Sequence, residues 1–332
     1  LIKAKLYYKN HFKLLDTLFK NYMKIWWYKD NKTGHIKQVS VVINELKKEF
    51  DITIKEVSCK KSFFKDILNL FIAYFFKSNN ENPDILIGAG HSVYLKILAD
   101  KVKYGTSKTR SIAILKPSFA RNSFDLICAP EHDYDKATEN NTYTFKGSLA
   151  KVIDIVPDSD VGLIAIGGSN NHYEFSNEEI YKQIQFIINL HKKNKWYIYN
   201  SRRTPEVLTN KLHALASNSV DFIDTDNKSS PNLSDTMGKA SIKIVTPDSV
   251  NLVFESLSSQ GSTYLLHLNP IKENKITRLM SNLVESRDLG YMKSLVLAGG
   301  LQTYSLKNPI DQHQTYAEVE KVAYQISQLI KS

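Results

Sequence analysis

Two loops of the sequence carry groups that could bind phosphate. The stretch 201–204 places two arginines between two hydroxyl residues, directly after the strand-like run 196–199. Guanidinium groups bind phosphate oxygens through paired N–H donors. The stretch 167–170 (Gly-Gly-Ser-Asn) follows another apolar run, and its glycines permit positive φ and a close approach of phosphate to the backbone. A solvated arginine pair and an ordinary tight turn are the alternatives.

A third loop lies between the β-branched run 242–245 and an apolar helical pattern that carries Glu255. The first N–H groups of a helix lack partners and its dipole favours anions, so this turn fits a nucleotide diphosphate. Glu255 could accept hydrogen bonds from a ribose diol. Asp248 would repel a diphosphate, and we interpret it as a helix cap. The residues predicted to bind the nucleotide diphosphate are Gly167, Gly168, Ser169, Asn170, Ser201, Arg202, Arg203, Thr204, Thr246, Asp248, Ser249, Val250 and Glu255.

The first half of the chain offers candidates for acid–base chemistry. His35 ends the polar loop 29–35, which follows the first strand, and is a candidate base. The stretch 88–91 (Gly-Ala-Gly-His) repeats this design after a later strand. Glu131, His132 and Asp133 cluster after Pro130 at the end of another strand. A solvated loop histidine and a polar turn are the alternatives.

Strand patterns alternate with helical patterns through both halves of the chain, which predicts parallel sheets joined by helical crossovers. The segment 150–158 interrupts this alternation and predicts a hinge between two doubly wound domains. Ligands of such sheets bind beyond the carboxyl ends of the strands, so we expect the site in a cleft between the domains.

Two segments combine apolar and basic residues. Residues 1–22 carry five lysines against one aspartate in an amphipathic pattern, and they either lie on a membrane surface or are little used. A second helical stripe predicts packing on the sheet, with a bilayer interface as the alternative. Its members are Phe63, Phe64, Leu68, Phe71, Ile72, Phe75 and Phe76.

Bulk composition bounds the protein class. The 332 residues exceed one ordinary core, and the net charge of +10 suits polyanionic partners. The cysteines, Cys59 and Cys128, lack the spacing of a zinc site or disulfide framework. No stretch approaches the ~20 apolar residues of a membrane span. A cytoplasmic protein is expected.

The motifs together resemble the elongated-mitochondria family, which comprises the plant mitochondrial fission factor and bacterial proteins described as glycosyltransferases or nucleotide-sugar epimerases. The resemblance runs from about Met23 to beyond Gly290. That family is similar in turn to glycosyltransferases of the GT-B architecture. The motifs that carry the resemblance are 30–35 with Gln38, 83–90, 116–118, 124–126 with 130–133, 201–205, and 245–250 with Glu255.

The resemblance implies an α/β fold of two Rossmann-like, doubly wound parallel-sheet domains facing a cleft. An acceptor domain would span 23–150 and a nucleotide-sugar donor domain 155–312, after a basic extension at 1–22. The C-terminal helix, 314–331, would pack back on the first domain. The predicted catalytic residues are His35, Glu131 and Asp133, and those predicted on the acceptor side are Lys32, Thr33, Gly34, Gly88, Gly90, His91 and Lys116.

We therefore expect a metal-independent glycosyltransferase without a cofactor, acting in lipopolysaccharide or surface-polysaccharide assembly. Its partners would be a nucleotide sugar and a saccharide or lipid-linked saccharide acceptor, with peripheral contact to the anionic inner face of the cytoplasmic membrane left open. A nucleotide-sugar epimerase and a non-catalytic, membrane-associated fission-type adaptor are the alternatives. Nucleic acid is not expected, since no basic motif is interleaved with aromatic residues.

Overall fold

The computed structural model describes residues 21–59, 63–78, 81–134, 138–227, 231–297, 302–310 and 315–331. All but the last two residues of the predicted basic extension lie outside these ranges. The chain folds into two compact units. One runs to Lys146 and resumes at Val319, and the other spans Gly147–Glu318.

The first unit contains a parallel sheet whose described strands have the order β2-β1-β3-β4-β5-β6. Helices cover such a sheet on both faces, which is why the strand Ile-Leu-Ile-Gly-Ala is buried at every position. The elements are β1 (Tyr22–Lys29), α1 (Thr33–Leu46), β2 (Asp51–Ser58), α2 (Phe63–Phe75), β3 (Ile85–Ala89), α3 (His91–Tyr104), β4 (Arg110–Ile114), β5 (Leu126–Pro130) and β6 (Thr142–Phe145).

The second unit has a sheet of order β13-β12-β11-β10-β7-β8-β9, parallel except for the β12–β13 pair. The α/β fold with two parallel-dominated sheets is thereby confirmed. The elements are β7 (Asp158–Ala165), α4 (Asn177–Leu190), β8 (Lys195–Tyr199), α5 (Glu206–His213), β9 (Val220–Ile223), α6 (Leu233–Lys239), β10 (Ala240–Val245), α7 (Val250–Leu257), β11 (Ser262–Leu265), α8 (Lys275–Glu285), β12 (Gly290–Val296) and β13 (Gln302–Lys307).

The last helix, α9 (Glu318–Lys331), belongs to the first unit from Val319 onward. Ser327 Oγ donates to the Glu49 carboxylate at 2.8 Å, and Lys331 pairs with the same carboxylate. The Leu329 carbonyl accepts a hydrogen bond from Arg110 at 3.4 Å. The chain thus returns to its first sheet after completing the second.

Helix α2 corrects one expectation. The aromatic stripe was predicted to pack on the sheet, yet Leu68, Phe71, Ile72, Phe75 and Phe76 are all exposed. The helix meets α3 through a narrower side that includes the buried Ala73. Periodicity identifies an apolar face but not what covers it, which is why the prediction was wrong. None of the described helices combines the length and apolarity that crossing a bilayer requires.

Lys243 joins the C-terminal end of α7 to strand β10. It lies within β10 and is completely buried, at 0 % exposure. Its Nζ donates to the carbonyl oxygens of Ser256, Ser259 and Gln260 at 2.7 to 2.8 Å, and to the Ser259 hydroxyl at 2.7 Å. These oxygens form the last turn of α7 and the chain just after it, where the helix dipole favours a cation. The orientation of α7 therefore depends on a buried lysine.

We predict that Lys243 makes stability rise with pH above neutrality. Burial lowers the pKa of Lys243 to about 7, while the unfolded chain keeps a pKa near ~10.4. Between these values the unfolded state binds more protons, so the free energy of unfolding increases with pH. In urea unfolding between about pH 7 and about pH 9, the native protein should gain roughly 1 kcal/mol per pH unit relative to Lys243→Met.

The matched control is Lys195→Met, which removes a partly exposed lysine paired with Asp221. Its stability difference from the native protein should stay nearly constant over the same pH window. An equally flat difference for Lys243→Met would contradict the prediction.

Candidate functional site

The chain order of the first sheet leaves a switch point between β1 and β3. The chain leaves β1 toward β2 and then crosses back to place β3 on the other side of β1. The connections after β1 and β3 therefore run in opposite directions, leaving an opening beyond the carboxyl ends of these two strands. His35 follows β1, and Gly90 follows β3.

A buried carboxylate orients His35. Asp30 Oδ2 lies 2.7 Å from His35 Nδ1, and the two side chains are 8 % and 19 % exposed. Asp30 also accepts hydrogen bonds from the Lys32 backbone N–H at 3.0 Å and from Ser92 Oγ at 3.3 Å. With Nδ1–H directed at a carboxylate, the imidazole presents Nε2 as its proton acceptor. This pair is the arrangement of a positioned general base.

Asp30 was not among the predicted site residues. The sequence signal was present, since the aspartate directly follows the first strand and precedes His35 by five residues. Their contact, however, requires the chain to turn from strand into helix, which separation along the sequence does not reveal. The nearby Lys32 and Thr33 are exposed and Gly34 is partly buried, all at the start of α1.

Gly90 packs directly against the imidazole ring of His35. It adopts φ +94°, which L side chains rarely adopt, and a Cβ here would lie 2.5 Å from both Cε1 and Nδ1 of His35. Gly88 is required for packing instead, because its Cβ would meet Tyr28 and Val93 at about 2.9 Å. Two glycines of one motif therefore have different physical roles.

The remaining acid–base candidates lie farther along the sheet. Glu131 and Asp133 share a short 3-10 turn after β5, where Glu131 is exposed. The Asp133 carbonyl accepts a hydrogen bond from Lys116 Nζ at 2.7 Å. Strand β5 stands three positions from β1, or about 14 Å at ordinary strand spacing, so Glu131 and His35 are separate candidates. His91 is exposed, 3.4 Å from the Ser118 hydroxyl.

The second sheet has its own switch point, between β7 and β10. The three predicted anion-binding loops follow the neighbouring strands β10, β7 and β8, and they are joined by hydrogen bonds. The Gly167 N–H donates to Thr246 Oγ1 at 2.8 Å. The Gly167 carbonyl accepts from the hydroxyls of Ser201 at 2.7 Å and Thr204 at 2.6 Å. The sheet topology thus brings together residues from three distant parts of the sequence.

Asp248 and Arg203 form the charged centre of this second site. Asp248 Oδ2 accepts from the Arg203 guanidinium at 2.8 Å and from the Gly168 N–H at 3.0 Å. The carboxylate is 1 % exposed, whereas the arginine side chain is 46 % exposed. One side of the Arg203 guanidinium therefore contacts the buried Asp248 carboxylate, and the exposed part of the side chain is available to bind an anion.

Asn170 hydrogen-bonds both to Asp248 and to Tyr173, which lines a cavity of about 280 Å³. Its amide donates to the Asp248 carbonyl at 2.8 Å, and its side-chain oxygen accepts from the Tyr173 N–H at 3.2 Å. Tyr173 and Pro247 line the cavity together with side chains from β11, α8 and β12. Burial and the nearby Asp248 charge raise the pKa of Tyr173 to about 12.

Two local interpretations need correction. Asp248 was interpreted as a helix cap, but Ser249 caps α7 by accepting from the Leu252 N–H, and Asp248 instead holds Arg203. Neither Gly167 nor Gly168 has a positive φ. Both are crowded, since a Cβ would lie 2.4 Å from the Asp248 carboxylate or 2.1 Å from the Arg203 carbonyl oxygen.

The other predicted diphosphate-binding residues lie in the same loops or on α7. Ser169 and Arg202 are exposed. Val250 is the first residue of α7, and Glu255 lies partly buried on the same helix. Their binding roles stay predictions. Within the described ranges, no three His, Cys, Asp or Glu side chains are grouped closely enough to hold a metal ion.

The sequence profile of one family, Mitochondrial fission ELM1, matches residues 33–326, a range that begins three residues after Asp30 and includes His35, Arg203 and Asp248. The chain belongs to this family. No curated protein matches it.

Solved structures place this ELM1-family chain among GT-B folds. A protein from Listeria monocytogenes assigned as a UDP-N-acetylglucosamine 2-epimerase has a TM-score of 0.50 at 12 % identity, covering 93 % of this chain and 88 % of its own. A UDP-GlcNAc 2-epimerase from Neisseria meningitidis has a TM-score of 0.47 at 16 % identity, with coverages of 93 % and 92 %. The ADP-heptose lipopolysaccharide heptosyltransferase II of Escherichia coli has a TM-score of 0.46 at 9 % identity, with coverages of 93 % and 99 %. At 12 % identity, the likeness to the Listeria monocytogenes protein shows the fold alone.

We predict that Gly90→Ala separates the Asp30–His35 pair of this ELM1-family protein. The new Cβ would overlap the imidazole and force an unfavourable φ, lowering the free energy of unfolding by about 1–3 kcal/mol. Urea unfolding measures the loss, and long-range ¹H–¹⁵N NMR of the imidazole reports the change in its tautomer. The control, Ser92→Ala, removes only a 3.3 Å hydrogen bond and should preserve the tautomer. Unchanged stability and spectrum in Gly90→Ala would contradict the geometry.

Proposed function

We propose that this protein is a glycosyltransferase that uses a nucleotide-diphosphate sugar. One observation carries the proposal: Arg203 is half-exposed and paired with the buried Asp248 beyond three neighbouring strand ends, and Pro247, the residue before Asp248, lines a cavity. A cation and a solvent-accessible cavity joined through neighbouring residues suit a ligand in which a diphosphate is attached to a nucleoside.

The charged centre supplies what a departing diphosphate needs. Catalysis of sugar transfer requires stabilisation of the negative charge that grows on the leaving group. Arg203 offers a guanidinium already oriented by Asp248, and α7 presents its N-terminal end without an acidic residue in its first turn. These groups allow the proposed transfer to proceed without a metal ion.

The cavity matches the other half of such a donor. Its lining mixes Leu265, Leu268 and Met280 with Tyr173, His267 and Tyr291. Apolar and aromatic side chains with a few polar groups are the usual lining of small-molecule sites. A nucleobase fits this chemistry, and we assign the ribose hydroxyls to Glu255 on α7, the helix that begins three residues after Pro247.

The Asp30–His35 pair supplies a base for the acceptor. In the proposed step, His35 Nε2 takes the proton of an acceptor hydroxyl while its oxygen bonds to the anomeric carbon. The bond from that carbon to the β-phosphate oxygen breaks. Its electron pair leaves on the nucleoside diphosphate, where Arg203 stabilises the charge. We assign the acceptor to the class of saccharides and lipid-linked saccharides, in surface-polysaccharide or lipopolysaccharide assembly.

We predict that the protein binds nucleoside diphosphates through Arg203. Calorimetric titration should detect at least one of uridine, adenosine, guanosine, cytidine or thymidine diphosphate, and thermal unfolding should shift upward with it. Loss of hydrogen bonds to a charged group should weaken binding of that nucleotide about 10- to 100-fold in an Arg203 variant. Failure of all these nucleotides to bind would remove the basis of the proposal.

The variant must avoid leaving Asp248 as an unpaired buried charge. The double change Arg203→Gln with Asp248→Asn removes both charges and retains hydrogen-bonding groups. Its control is Arg278→Gln, since Arg278 is exposed on α8, 3.7 Å from Glu273. If the double variant binds as tightly as the control, Arg203 does not contact the diphosphate.

We predict that His35→Gln lowers the turnover number about 10²- to 10⁴-fold while nucleotide affinity is retained, because a neutral amide cannot accept the proton. Mass spectrometry of glycosylated acceptor and released nucleoside diphosphate measures the loss. His213→Gln is the control, since His213 is exposed on α5.

Incubation with nucleotide sugars alone separates transfer from epimerisation. Conversion of the sugar to an epimer without acceptor would establish the epimerase and overturn transfer. Full cellular function in both the His35 and the Arg203/Asp248 variants would instead identify a non-catalytic adaptor.

A further inference from the structure

Helix α2 and the residue after it expose a concentrated apolar surface. The exposed fractions are 57 % for Leu68, 65 % for Phe71, 64 % for Phe75 and 67 % for Phe76. Ile67, Ile72 and Tyr74 add to the same segment. Single exposed apolar residues are ordinary on soluble proteins, but a contiguous group marks an interaction surface.

The surface is wide for a helix. At about 100° per residue, the exposed apolar positions from Ile67 to Phe75 spread over an arc of about 160°. A helix that fits a protein groove typically presents a narrower stripe at i, i+3, i+4 and i+7. An arc this broad, rich in phenylalanine, instead suits a helix lying in a lipid interface.

Lysines border the apolar arc. Lys77 is exposed directly after Phe76. Lys96 and Lys103 of α3 line the groove that α3 forms with α2, beside Ile72 and Ala73. The acidic residue of that groove, Asp100, is buried; its Oδ2 accepts a hydrogen bond from the Tyr28 hydroxyl at 2.9 Å and lies 3.5 Å from Lys96 Nζ. Lys96 is therefore paired, whereas Lys77 and Lys103 place positive charge next to the apolar side chains, which complements anionic headgroups.

We propose that α2 docks this protein on an anionic lipid bilayer. Leu68, Phe71, Phe75 and Phe76 enter the boundary between headgroups and acyl chains. Lys77 and Lys103 contact the phosphate groups. The proposal concerns this surface alone and does not depend on the proposed sugar transfer.

Flotation of the 332-residue protein with lipid vesicles tests the docking. The protein should float with vesicles that mix phosphatidylglycerol and phosphatidylcholine, and less with pure phosphatidylcholine. The double variant Phe71→Ser with Phe75→Ser should weaken partitioning on the order of 100-fold. The control is Val207→Ser with Tyr324→Ser, which alters two apolar side chains on α5 and α9 that are each 60 % exposed. Both variants change exposed positions, so circular dichroism should show intact folds.

A fluorescent label locates the contact. The native cysteines, Cys59 and Cys128, are buried, so Tyr74→Cys provides an accessible thiol at a 74 % exposed position. Its nitrobenzoxadiazole label should brighten and shift to the blue on anionic vesicles. The same label at Tyr324→Cys should not.

Three outcomes would overturn the proposal. Vesicle binding that survives the Phe71/Phe75 change would assign docking to another segment, such as the unaltered basic residues 1–20. Absence of vesicle binding in the native protein would exclude docking. A dimer that the Phe71/Phe75 change dissociates, without vesicle binding, would make this surface a protein interface.

Discussion

Parallel strands can be joined only by crossover connections. When later strands are added on both sides of the first strand, two of these connections run in opposite directions and leave a gap between them. Both sheets of this protein are built in this way, with β1 beside β3 and β7 beside β10. Each switch leaves an opening beyond the strand ends, where backbone polar groups and loop side chains converge. The candidate chemistry of the molecule depends on these two openings, and the helices serve to keep the strands in place.

The two openings share a design. In each, a carboxylate is removed from solvent and holds a basic side chain that is more exposed than itself. Asp30 holds His35, and Asp248 holds Arg203. The side-chain conformation of the basic residue is thereby restricted before any ligand binds, so ligand binding costs less side-chain entropy. The crowded glycines, Gly90 and Gly167, allow the approach because a Cβ at either would overlap its neighbour.

The sequence was sufficient to predict the fold and the loops that follow the strand ends, because apolar runs followed by glycine or hydroxyl residues mark strand ends whatever the distant contacts are. It was insufficient where a role depends on a partner in space. The Asp30–His35 contact, the Arg203–Asp248 pair and the exposure of α2 arise only after folding. The sequence likewise indicates that position 167 needs a small residue. It does not reveal whether a positive φ or steric crowding is the reason.

Lys243 has a consequence for the conditions that the second unit tolerates. The oxygens that accept from its Nζ are uncharged and Lys243 itself is completely buried, so dissolved ions screen the attachment of α7 to β10 only weakly. The surface pairs, such as Lys195 with Asp221, weaken as ionic strength rises. Concentrated salt should therefore loosen the periphery of the unit while the strand–turn–helix segment that carries Asp248 keeps its shape.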